Sequence, residues 1–454
     1  MKIIIEGGGK IGSTLTKLLT NEGHEIILVD KHAQILEKTM ESFDVMGVQG
    51  NAAAADTLKQ ADVDNADLLI AATDADEVNL LACMTAHGMN PNLHTIARIR
   101  NPEYLYQAYE MRDVFALNLA INPELSAAEE ISSLLKYPGF LKIDTFAKGR
   151  VRIVELKVTA QSKLNHVVLN QLHHMIHCQV LVCAVLRNHQ CIMPDGDFQL
   201  EENDKLFVTA NTKNLSILLA NLGIIAKPIK NVMICGGGRI SYYLANDLLK
   251  SRIKSKIIEM DEKRCQDLAE ALPQCEIVHG DASSQEFLDS EHLSNYDAMV
   301  NLTGIDELNI VMSLYAVSKN VSMVITKLSH AENYPLLDGL QIGSIVSPKE
   351  LASNAIVRYV RAMQNQKGAA VSIHTIASGQ AEAIEFVVDD STLYTNTCLK
   401  DIPFKKNVLL CGIDSGFKTE IPGGNSKFHK GDTLIVVTDN QTPLFSINDI
   451  FEGN

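Results

Sequence analysis

Short apolar runs alternate along the first part of the chain with segments of helical spacing. The runs are residues 2–5, 25–29, 68–72 and 94–98, and residues 11–19 carry apolar side chains three and four positions apart. Such short apolar runs indicate strands buried on both faces, and the spacing of residues 11–19 predicts an amphipathic helix. Strands that alternate with helices imply a parallel sheet covered by helices on both faces.

The pattern changes after residue 137. Between residues 150 and 158, apolar and polar side chains alternate with one slip: Val151, Ile153, Leu156 and Val158 against Arg152, Glu155 and Lys157. This alternation is typical of a strand with one exposed face. Short strands of this kind, separated by turn residues, predict a small α+β lobe after the parallel sheet.

The whole arrangement then repeats after about 230 residues. Residues 3–12 align with residues 232–241, which places Gly7 on Gly236. Further landmarks keep the same register: Asp30 with Glu259, Asn51 with Asp281, Asn79 with Asn309, Arg98 with Lys327, and Gly149 with Gly379. Several landmarks in register indicate a tandem duplication rather than one shared motif.

The predicted fold class is therefore α/β, with two Rossmann-like doubly wound parallel-sheet domains, each followed by a small α+β lobe. The expected boundaries are residues 1–137, 138–224, 230–363 and 368–454. Residues 227–230, Lys-Pro-Ile-Lys, lie at the break between the copies.

A glycine-rich motif opens the first copy. Gly7, Gly9 and Gly12 form G-x-G-x-x-G between a predicted strand and a predicted helix, with Lys10 and Ile11 inside the motif. The first glycine permits a tight turn, the second lets the backbone approach a pyrophosphate, and the third lets helix and strand pack closely. Asp30 ends the next apolar run, where a carboxylate accepts hydrogen bonds from ribose hydroxyls and favours NAD over NADP.

Other polar residues follow the predicted strands at the edge where open α/β sheets bind ligands. Asn51 and Ala52 are placed beside an adenine, Thr73 and Asp74 face the crevice, and Arg98 with Arg100 leaves the fifth strand. An arginine pair here is suited to gripping phosphate charge. The alternative is a pair of surface arginines that form ion pairs with Asp or Glu.

The second copy departs from the motif. Gly236 and Gly238 keep their places, Arg239 and Ile240 open the helix, but Ser241 replaces the third glycine. The acid Glu259 is retained, as are polar residues at Asp281 and Thr303. Both a second nucleotide site and a degenerate structural copy are compatible with this pattern.

One residue conflicts with phosphate binding. Glu6 places a carboxylate directly before Gly7. A negative charge beside phosphates would weaken their binding unless it points away or has a partner.

Composition limits the classes of function. The net charge of −15 argues against a nucleic-acid ligand and against unaided binding to an anionic bilayer. No apolar run approaches the roughly 20 residues that span a membrane, and the N-terminus resembles no signal peptide. We therefore expect a soluble, cytoplasmic protein without direct membrane insertion.

The cysteines and histidines give little sign of a metal site. The nine cysteines form no C-x-x-C pair, so free, buried thiols are expected. The one local cluster, His173, His174, His177 and Cys178, has no nearby carboxylate and is interpreted as histidines at a helix end.

Catalytic residues are also hard to nominate. A dehydrogenase needs a proton-transfer residue beside the nicotinamide, and no motif nominates one; a nucleophile elbow and a Walker lysine are missing as well. A nucleotide sensor without enzyme activity is therefore favoured over a soluble NAD-dependent oxidoreductase. A purely structural role with vestigial nucleotide sites is a third possibility.

The combined motifs resemble a known family. Met1 to Gly12, Gly50-Asn51-Ala52, residues 73–79, residues 96–100 and Pro123-Glu124 are similar to the peripheral regulatory subunits of bacterial Trk potassium uptake systems, built of tandem RCK (KTN) domains. The resemblance implies a cytoplasmic homo-oligomeric RCK ring at the inner face of the cell membrane. It also implies NAD(H) and ATP or ADP as ligands and a TrkH- or TrkG-like membrane subunit as partner.

The same resemblance implies roles for residues. Gly7, Gly9 and Gly12 would hold phosphates, Asp30 the ribose, Asn51 the adenine, and Arg98 with Arg100 an ATP phosphate or an adjacent subunit. The helices after Pro123 and Pro348, with Ile131, Leu134 and Leu135, are candidates for crossing to a neighbouring subunit; packing within the chain is the alternative.

Overall fold

The structure is a computed structural model of the 454-residue chain. It describes residues 1–452 except 161, 177, 189, 212–213, 223–226, 330–339, 341, 364–369, 440–443 and 445. Contacts group these residues into two compact units. One comprises Met1–Ile131 with Asn231–Tyr359, and the other comprises Ser132–Lys230 with Val360–Asn454.

The first unit begins with a six-stranded parallel sheet of order β3-β2-β1-β4-β5-β6. Its strands are β1 (Lys2–Glu6), β2 (Glu25–Asp30), β3 (Met46–Gln49), β4 (Leu68–Ala71), β5 (His94–Arg98) and β6 (Leu119–Ile121). The central strands are fully buried, as in Ile3, Ile4 and Ile5, each 0% exposed. This confirms the interpretation of the apolar runs as strands covered on both faces.

Helices connect these strands and cover the sheet. They are α1 (Lys10–Asn21), α2 (Ala33–Ser42), α3 (Ala55–Gln60), α4 (Asp76–Met89), α5 (Pro102–Glu110) and α6 (Pro123–Lys136). The amphipathic pattern decides which side faces inward: α1 buries Ile11, Leu15 and Leu19. We call this domain the first N-lobe.

The second N-lobe repeats the design in the same unit. Its parallel sheet has the order β14-β13-β12-β15-β16-β17. The strands are β12 (Asn231–Cys235), β13 (Lys254–Glu259), β14 (Glu276–His279), β15 (Ala298–Asn301), β16 (Met323–Lys327) and β17 (Ser344–Val346). The helices are α9 (Arg239–Lys250), α10 (Glu262–Ala271), α11 (Gln285–Ser290), α12 (Asp306–Ser318) and α13 (Pro348–Met363).

The second unit holds two five-stranded sheets, the first and second C-lobes, of orders β10-β9-β11-β8-β7 and β18-β19-β22-β20-β21. The first C-lobe contains β7 (Lys142–Phe146), β8 (Val151–Lys157), α7 (Leu172–Met175), β9 (Val180–Arg187), β10 (Gln190–Ile192), β11 (Lys205–Asn211) and α8 (Asn214–Asn221). The second contains β18 (Ala370–Ile376), β19 (Ala381–Val387), β20 (Val408–Asp414), β21 (Thr419–Glu420) and β22 (Thr433–Asp439). All pairings within these sheets are antiparallel among the described residues.

The two C-lobes share a core. Side chains from both sheets form one buried cluster that includes Ile153, Phe207, Ala383 and Ile435. The thiols of Cys183 and Cys411 lie in this cluster, and 228 residues separate these equivalent positions of the repeat. Two stacked antiparallel sheets bury their inner faces against each other. The tandem α/β architecture predicted from the sequence is confirmed.

Three smaller expectations can be compared with the structure. No described helix is long and apolar enough to cross a bilayer. Ile131, Leu134 and Leu135 are buried within the single chain, which favours packing inside the chain over a neighbouring subunit. Helix α7 ends at Met175, and His177 lies outside the described residues.

Candidate functional site

The first glycine loop joins β1 to α1 at the carboxyl edge of the sheet. Gly7 has φ of +95°, and a Cβ there would lie 3.0 Å from the Ala72 carbonyl oxygen. A Cβ on Gly12 would lie 1.8 Å from the Gly7 oxygen, so helix and loop touch at this point. Gly9 faces open space, because a Cβ on it would meet no described atom within 4 Å. Gly7 and Gly12 therefore meet steric demands of the turn and of the helix contact, and the role of Gly9 toward a pyrophosphate stays a prediction.

The N-terminus of α1 is available to an anion. Its N-cap residue, Gly9, provides no side chain to satisfy the first N–H groups of the helix. Lys10 is exposed at the first helical position, and Ile11 turns into the core. Free N–H groups and the helix dipole attract phosphate at such an end.

Asp30 is fixed by the loop itself. One carboxylate oxygen accepts a 2.8 Å hydrogen bond from the Gly8 N–H, and the other accepts one of 2.8 Å from the His32 N–H. Each carboxylate oxygen has a second lone pair that stays available to a hydroxyl donor. Asp30 is thus oriented before any ligand arrives, and its role toward ribose stays a prediction.

The remaining first-copy candidates lie along the same strand edge. Asn51 is exposed after β3 and accepts a hydrogen bond from the Ala53 N–H, and Ala52 beside it is buried. The Thr73 hydroxyl and N–H both donate to the Asn79 side chain, at 2.6 and 2.9 Å. Asp74 extends fully into solvent.

Arg98 and Arg100 lie among carboxylates. Arg98 is 3.7 Å from Asp74 and 3.9 Å from Glu124, and Arg100 is 3.8 Å from Asp76. Burial, and then the charge of Arg100, lower the pKa of Arg98. The Nε atoms of both arginines are buried without a hydrogen-bond partner among the described residues. The alternative expectation, ion pairs between these arginines and acidic residues, is therefore met. These ion pairs still leave the Nε–H donors of both arginines without a hydrogen-bond partner among the described residues.

The second loop keeps the turn but changes the helix contact. Gly236 has φ of +103°, and Gly238 again faces open space. Ser241 is fully buried and donates from its hydroxyl to the Gly236 carbonyl. In the first lobe, Gly12 lets the helix touch the loop directly. In the second lobe, the Ser241 side chain lies between helix and loop, and its hydroxyl satisfies the Gly236 carbonyl.

The acidic strand end of the second copy matches the first. Glu259 accepts hydrogen bonds from the N–H groups of Gly237, Met260 and Asp261, at 2.5, 2.8 and 2.9 Å. Asp281 caps its own turn by accepting from the Ser283 N–H at 2.8 Å, and hydrogen bonds from the Ser283 side chain and then its N–H lower the pKa of Asp281. Arg239 is exposed at the start of α9, and Ile240 is buried behind it.

The two N-lobes meet at these sites. The Tyr243 hydroxyl of α9 lies 3.0 Å from the Asn122 amide nitrogen and 3.3 Å from the Arg100 carbonyl oxygen, to which it donates. On the other side, burial lowers the pKa of Lys327. The charge of Asp306 opposes this shift, the charge of Lys10 adds to it, and the charge of Glu124 opposes it. Each loop helix therefore faces the fifth-strand end of the other lobe, and cations from both lobes converge there.

The chain matches known domain families and proteins over most of its length. The TrkA-N domain family matches residues 3–123 and 232–348, and the TrkA-C domain family matches residues 153–223. The Trk system potassium uptake protein TrkA of Haemophilus influenzae is 30% identical over 458 residues, covering 100% of this chain and 99% of that protein. A TrkA homolog of Archaeoglobus fulgidus is 30% identical over 437 residues, with 96% and 97% covered. The chain belongs to the TrkA family.

Solved structures support the fold assignment. The GsuK RCK domain superposes with a TM-score of 0.63 at 17% identity, covering 97% of this chain and 92% of that one. The GsuK channel bound to NAD gives a TM-score of 0.61 at 17% identity, with 97% and 77% covered. The regulatory-subunit resemblance predicted from the sequence is confirmed by the TrkA family match, and the RCK architecture by these folds.

The structure adds residues that the sequence pattern did not nominate. Asn79 is 0% exposed, and its amide donates to the carbonyls of Thr73 and Arg98 at 3.2 and 2.8 Å. In the second N-lobe of this TrkA-family chain, Asn309 donates in the same way to Thr303 and Lys327, at 3.2 and 3.0 Å. Both asparagines were visible as repeat landmarks, which was the only signal of their importance.

Two contacts had no sequence signal. Tyr243 acts across the lobe boundary, and Arg264 donates from Nε to the Gly237 carbonyl at 2.7 Å. The position equivalent to Arg264 in the first lobe is Ile35, which lies against Gly8. The side chain at this position, close to the strand-end acid, is therefore charged in the second N-lobe and apolar in the first.

Proposed function

We propose that this chain is the nucleotide-sensing regulatory subunit of a Trk-type potassium uptake system and that it has no enzyme activity of its own. In this proposal NAD(H) and ATP or ADP bind the two N-lobes and bias the conformation of an RCK ring of identical chains. The ring gates a TrkH- or TrkG-like membrane subunit from the cytoplasmic side. Membership of the TrkA family supports the link to potassium uptake.

The observation that carries the nucleotide part is the facing pair of glycine loops. Each loop presents an uncapped helix N-terminus, and Lys10, Arg100, Arg239 and Lys327 lie around the boundary between the lobes. Arg100 is 3.8 Å from Asp76, and Lys327 lies near Asp306 and Glu124, so a bound polyphosphate would compete with these carboxylates for the cations. A phosphate ligand at this boundary is therefore expected to favour one arrangement of the two lobes.

Regulation follows from a difference in affinity. A ligand shifts an equilibrium between two ring states only by the amount that it binds one state more tightly. Tyr243, Asn122 and Arg100 connect the second loop helix to the strand edge of the first lobe, so an occupied cleft can change that contact. We take this lobe boundary as the element that responds to the nucleotide.

Calorimetry with NADH, ATP and ADP tests the binding. Wild-type chain is expected to bind each nucleotide stoichiometrically, and Gly9→Asp, which sets a carboxylate in the open phosphate position, is expected to abolish binding in the first N-lobe. Gly238→Asp is the matched change in the second N-lobe and separates the two sites. Wild-type chain that binds none of the three nucleotides contradicts the proposal.

Measurements of NADH turnover and of protein association test the proposed lack of enzyme activity and the proposed membrane partner. The purified chain is expected to leave NADH unoxidised with 2-hydroxy acid, aldehyde or quinone substrates, and sustained oxidation would establish the oxidoreductase alternative instead. The chain is also expected to co-purify with the membrane subunit of a Trk system from detergent extract. Failure to associate with that subunit, even at low salt, argues against the partner.

A further inference from the structure

Glu6 is the last residue of β1, directly before the first glycine loop. It is 0% exposed, and among the described residues neither carboxylate oxygen has a hydrogen-bond partner. Its register partners on the neighbouring strands are Val29 and Ala71, which belong to the apolar cluster on the α4 side of the sheet. The carboxyl group of Glu6 is therefore buried among apolar side chains.

The second N-lobe fills the equivalent space with different residues. Cys235 stands at the position of Glu6 and pairs with Asn301, where the first lobe has Ala71. The Asn301 amide donates to Ser313 at 2.8 Å, and the Ser313 and Thr326 hydroxyls lie 2.6 Å apart. The large and small residues have exchanged strands: the larger side chain is Glu6 in the first lobe and Asn301 in the second, where Ser313 accepts a hydrogen bond from it. Only in the first lobe is that larger side chain a carboxylic acid.

The described surroundings of Glu6 offer no countercharge. Helix α4 contributes the Cys83 thiol, whose pKa is raised by burial and then by Glu6. Strands β2, β4 and β5 contribute Val29, Ala71 and Ala97 on this face, which carry no charge. Burial raises the pKa of the Glu6 carboxyl well above its ordinary value.

The backbone of Glu6 joins this buried acid to the ligand edge. The Glu6 carbonyl accepts a 2.8 Å hydrogen bond from the Ala72 N–H, one residue before Thr73. Gly7 follows immediately and donates from its N–H to the Val29 carbonyl at 2.8 Å. A charge that appears on Glu6 thus lies beneath the loop that faces the phosphates, in a medium that screens it poorly.

We propose that Glu6 makes nucleotide binding in the first N-lobe proton-linked: the neutral acid permits phosphate to bind, and ionisation of the acid opposes it. The inference rests on the proposed nucleotide function. Bound phosphate disfavours the carboxylate, so binding takes up protons, and affinity falls as the pH rises through the titration of Glu6. The second N-lobe lacks this response because Cys235 is neutral; burial raises its pKa to about 12.

Calorimetry with ADP and NADH between pH 6 and pH 9 tests the linkage. The chain carries Gly238→Asp to silence the second site and is compared with the same chain carrying Glu6→Gln. The affinity of the first chain is expected to fall with rising pH, on the order of tenfold for one unit of pKa coupling. The Glu6→Gln chain is expected to lose that dependence, and Glu41→Gln, an exposed acid of the same lobe, is expected to keep it.

Unfolding without nucleotide gives an independent measurement. The unfolded carboxyl titrates near pH 4, and the folded one titrates well above it, so each pH unit between them lowers the stability of wild type relative to Glu6→Gln. The expected change is about tenfold in the unfolding equilibrium constant per pH unit. The stability difference between the two proteins should be unchanging below about pH 4 and should move in favour of Glu6→Gln as the pH rises above it.

The outcomes separate the two proposals. Equal pH dependence of affinity with and without Glu6→Gln, with binding intact, overturns the linkage alone. Absence of all nucleotide binding overturns the proposed function and the linkage with it, while the unfolding profile still reports the protonation of Glu6. An unfolding difference that does not change with pH also contradicts a buried, titrating acid.

Discussion

At the scale of single residues, the glycine loops show which positions are under steric demand. A methyl group on Gly12 would collide with the Gly7 oxygen at 1.8 Å, whereas one on Gly9 would meet nothing within 4 Å among the described atoms. The two glycines are equally required by the sequence motif but for different reasons. Gly12 is required by the fold, and Gly9 is required by the ligand that the motif predicts.

Alanine substitutions should separate these reasons. Gly12→Ala is expected to destabilise the first N-lobe by about 1–3 kcal/mol, because helix and loop must move apart to admit the methyl group. Gly9→Ala is expected to leave stability within about 1 kcal/mol but to weaken NADH binding, because the methyl group occupies the phosphate approach. Denaturant unfolding and calorimetry on both variants make the comparison; equal loss of stability in the two would refute it.

At the scale of elements, buried asparagines fasten the carboxyl ends of neighbouring strands. Asn79 lies near the start of α4 and bonds to the loop after β4 and to the last residue of β5. Asn309 repeats every one of these contacts in the second N-lobe. The positions of Thr73 and Arg98, both candidate binding residues, are therefore set by a residue that faces away from solvent.

Asn79→Ala is expected to lower the free energy of unfolding by about 2–3 kcal/mol, since it leaves the Thr73 N–H and two carbonyls without partners. Nucleotide affinity should fall with it, as Thr73 and Arg98 lose their alignment. Asn92→Ala, an exposed change in the same lobe, serves as the control and should alter neither quantity. Asn79→Ala with wild-type stability would show that these bonds contribute little.

At the scale of the molecule, the two C-lobes are joined by buried charge as well as by apolar packing. Asp144 of β7 lies 3.4 Å from Lys142 and 3.0 Å from His374 of β18, 230 residues away. The His374 ring also packs on Phe146, with centroids 4.5 Å apart. Burial opposes the charge of Asp144, but Lys142 and His374 outweigh it and lower its pKa to about 2.

This pair predicts a pH-dependent contribution to stability. The folded pKa of Asp144 lies below its ordinary value, so the contribution is complete above about pH 4 and is lost as the pH falls through 2. Asp144→Asn is expected to lower stability by about 2 kcal/mol at pH 7. The difference from wild type should shrink between pH 4 and pH 2 in denaturant titrations. A difference that stays constant over that range contradicts the ion pair.

Much of the fold could be predicted because its signals are local. Runs such as Ile3-Ile4-Ile5, the alternation around Val151 and the glycine spacing are properties of neighbouring residues, and the repeat supplied the domain order. The candidate site was predicted at its glycines and strand-end acids for the same reason. Asp30 was assigned to ribose, and the structure shows that it first holds the loop through Gly8.

The sequence by itself thus determined the parallel sheets, the duplicated loops and the family resemblance, since periodicity and backbone freedom are set by residue types in order. Only the tertiary structure decided which buried groups have a shifted pKa and which lobes contact each other. Apolar neighbours from three other strands and a helix raise the pKa of Glu6, and Tyr243 reaches Asn122 across 121 residues of chain. Desolvation and long-range contact depend on what the fold brings together, so no local pattern records them.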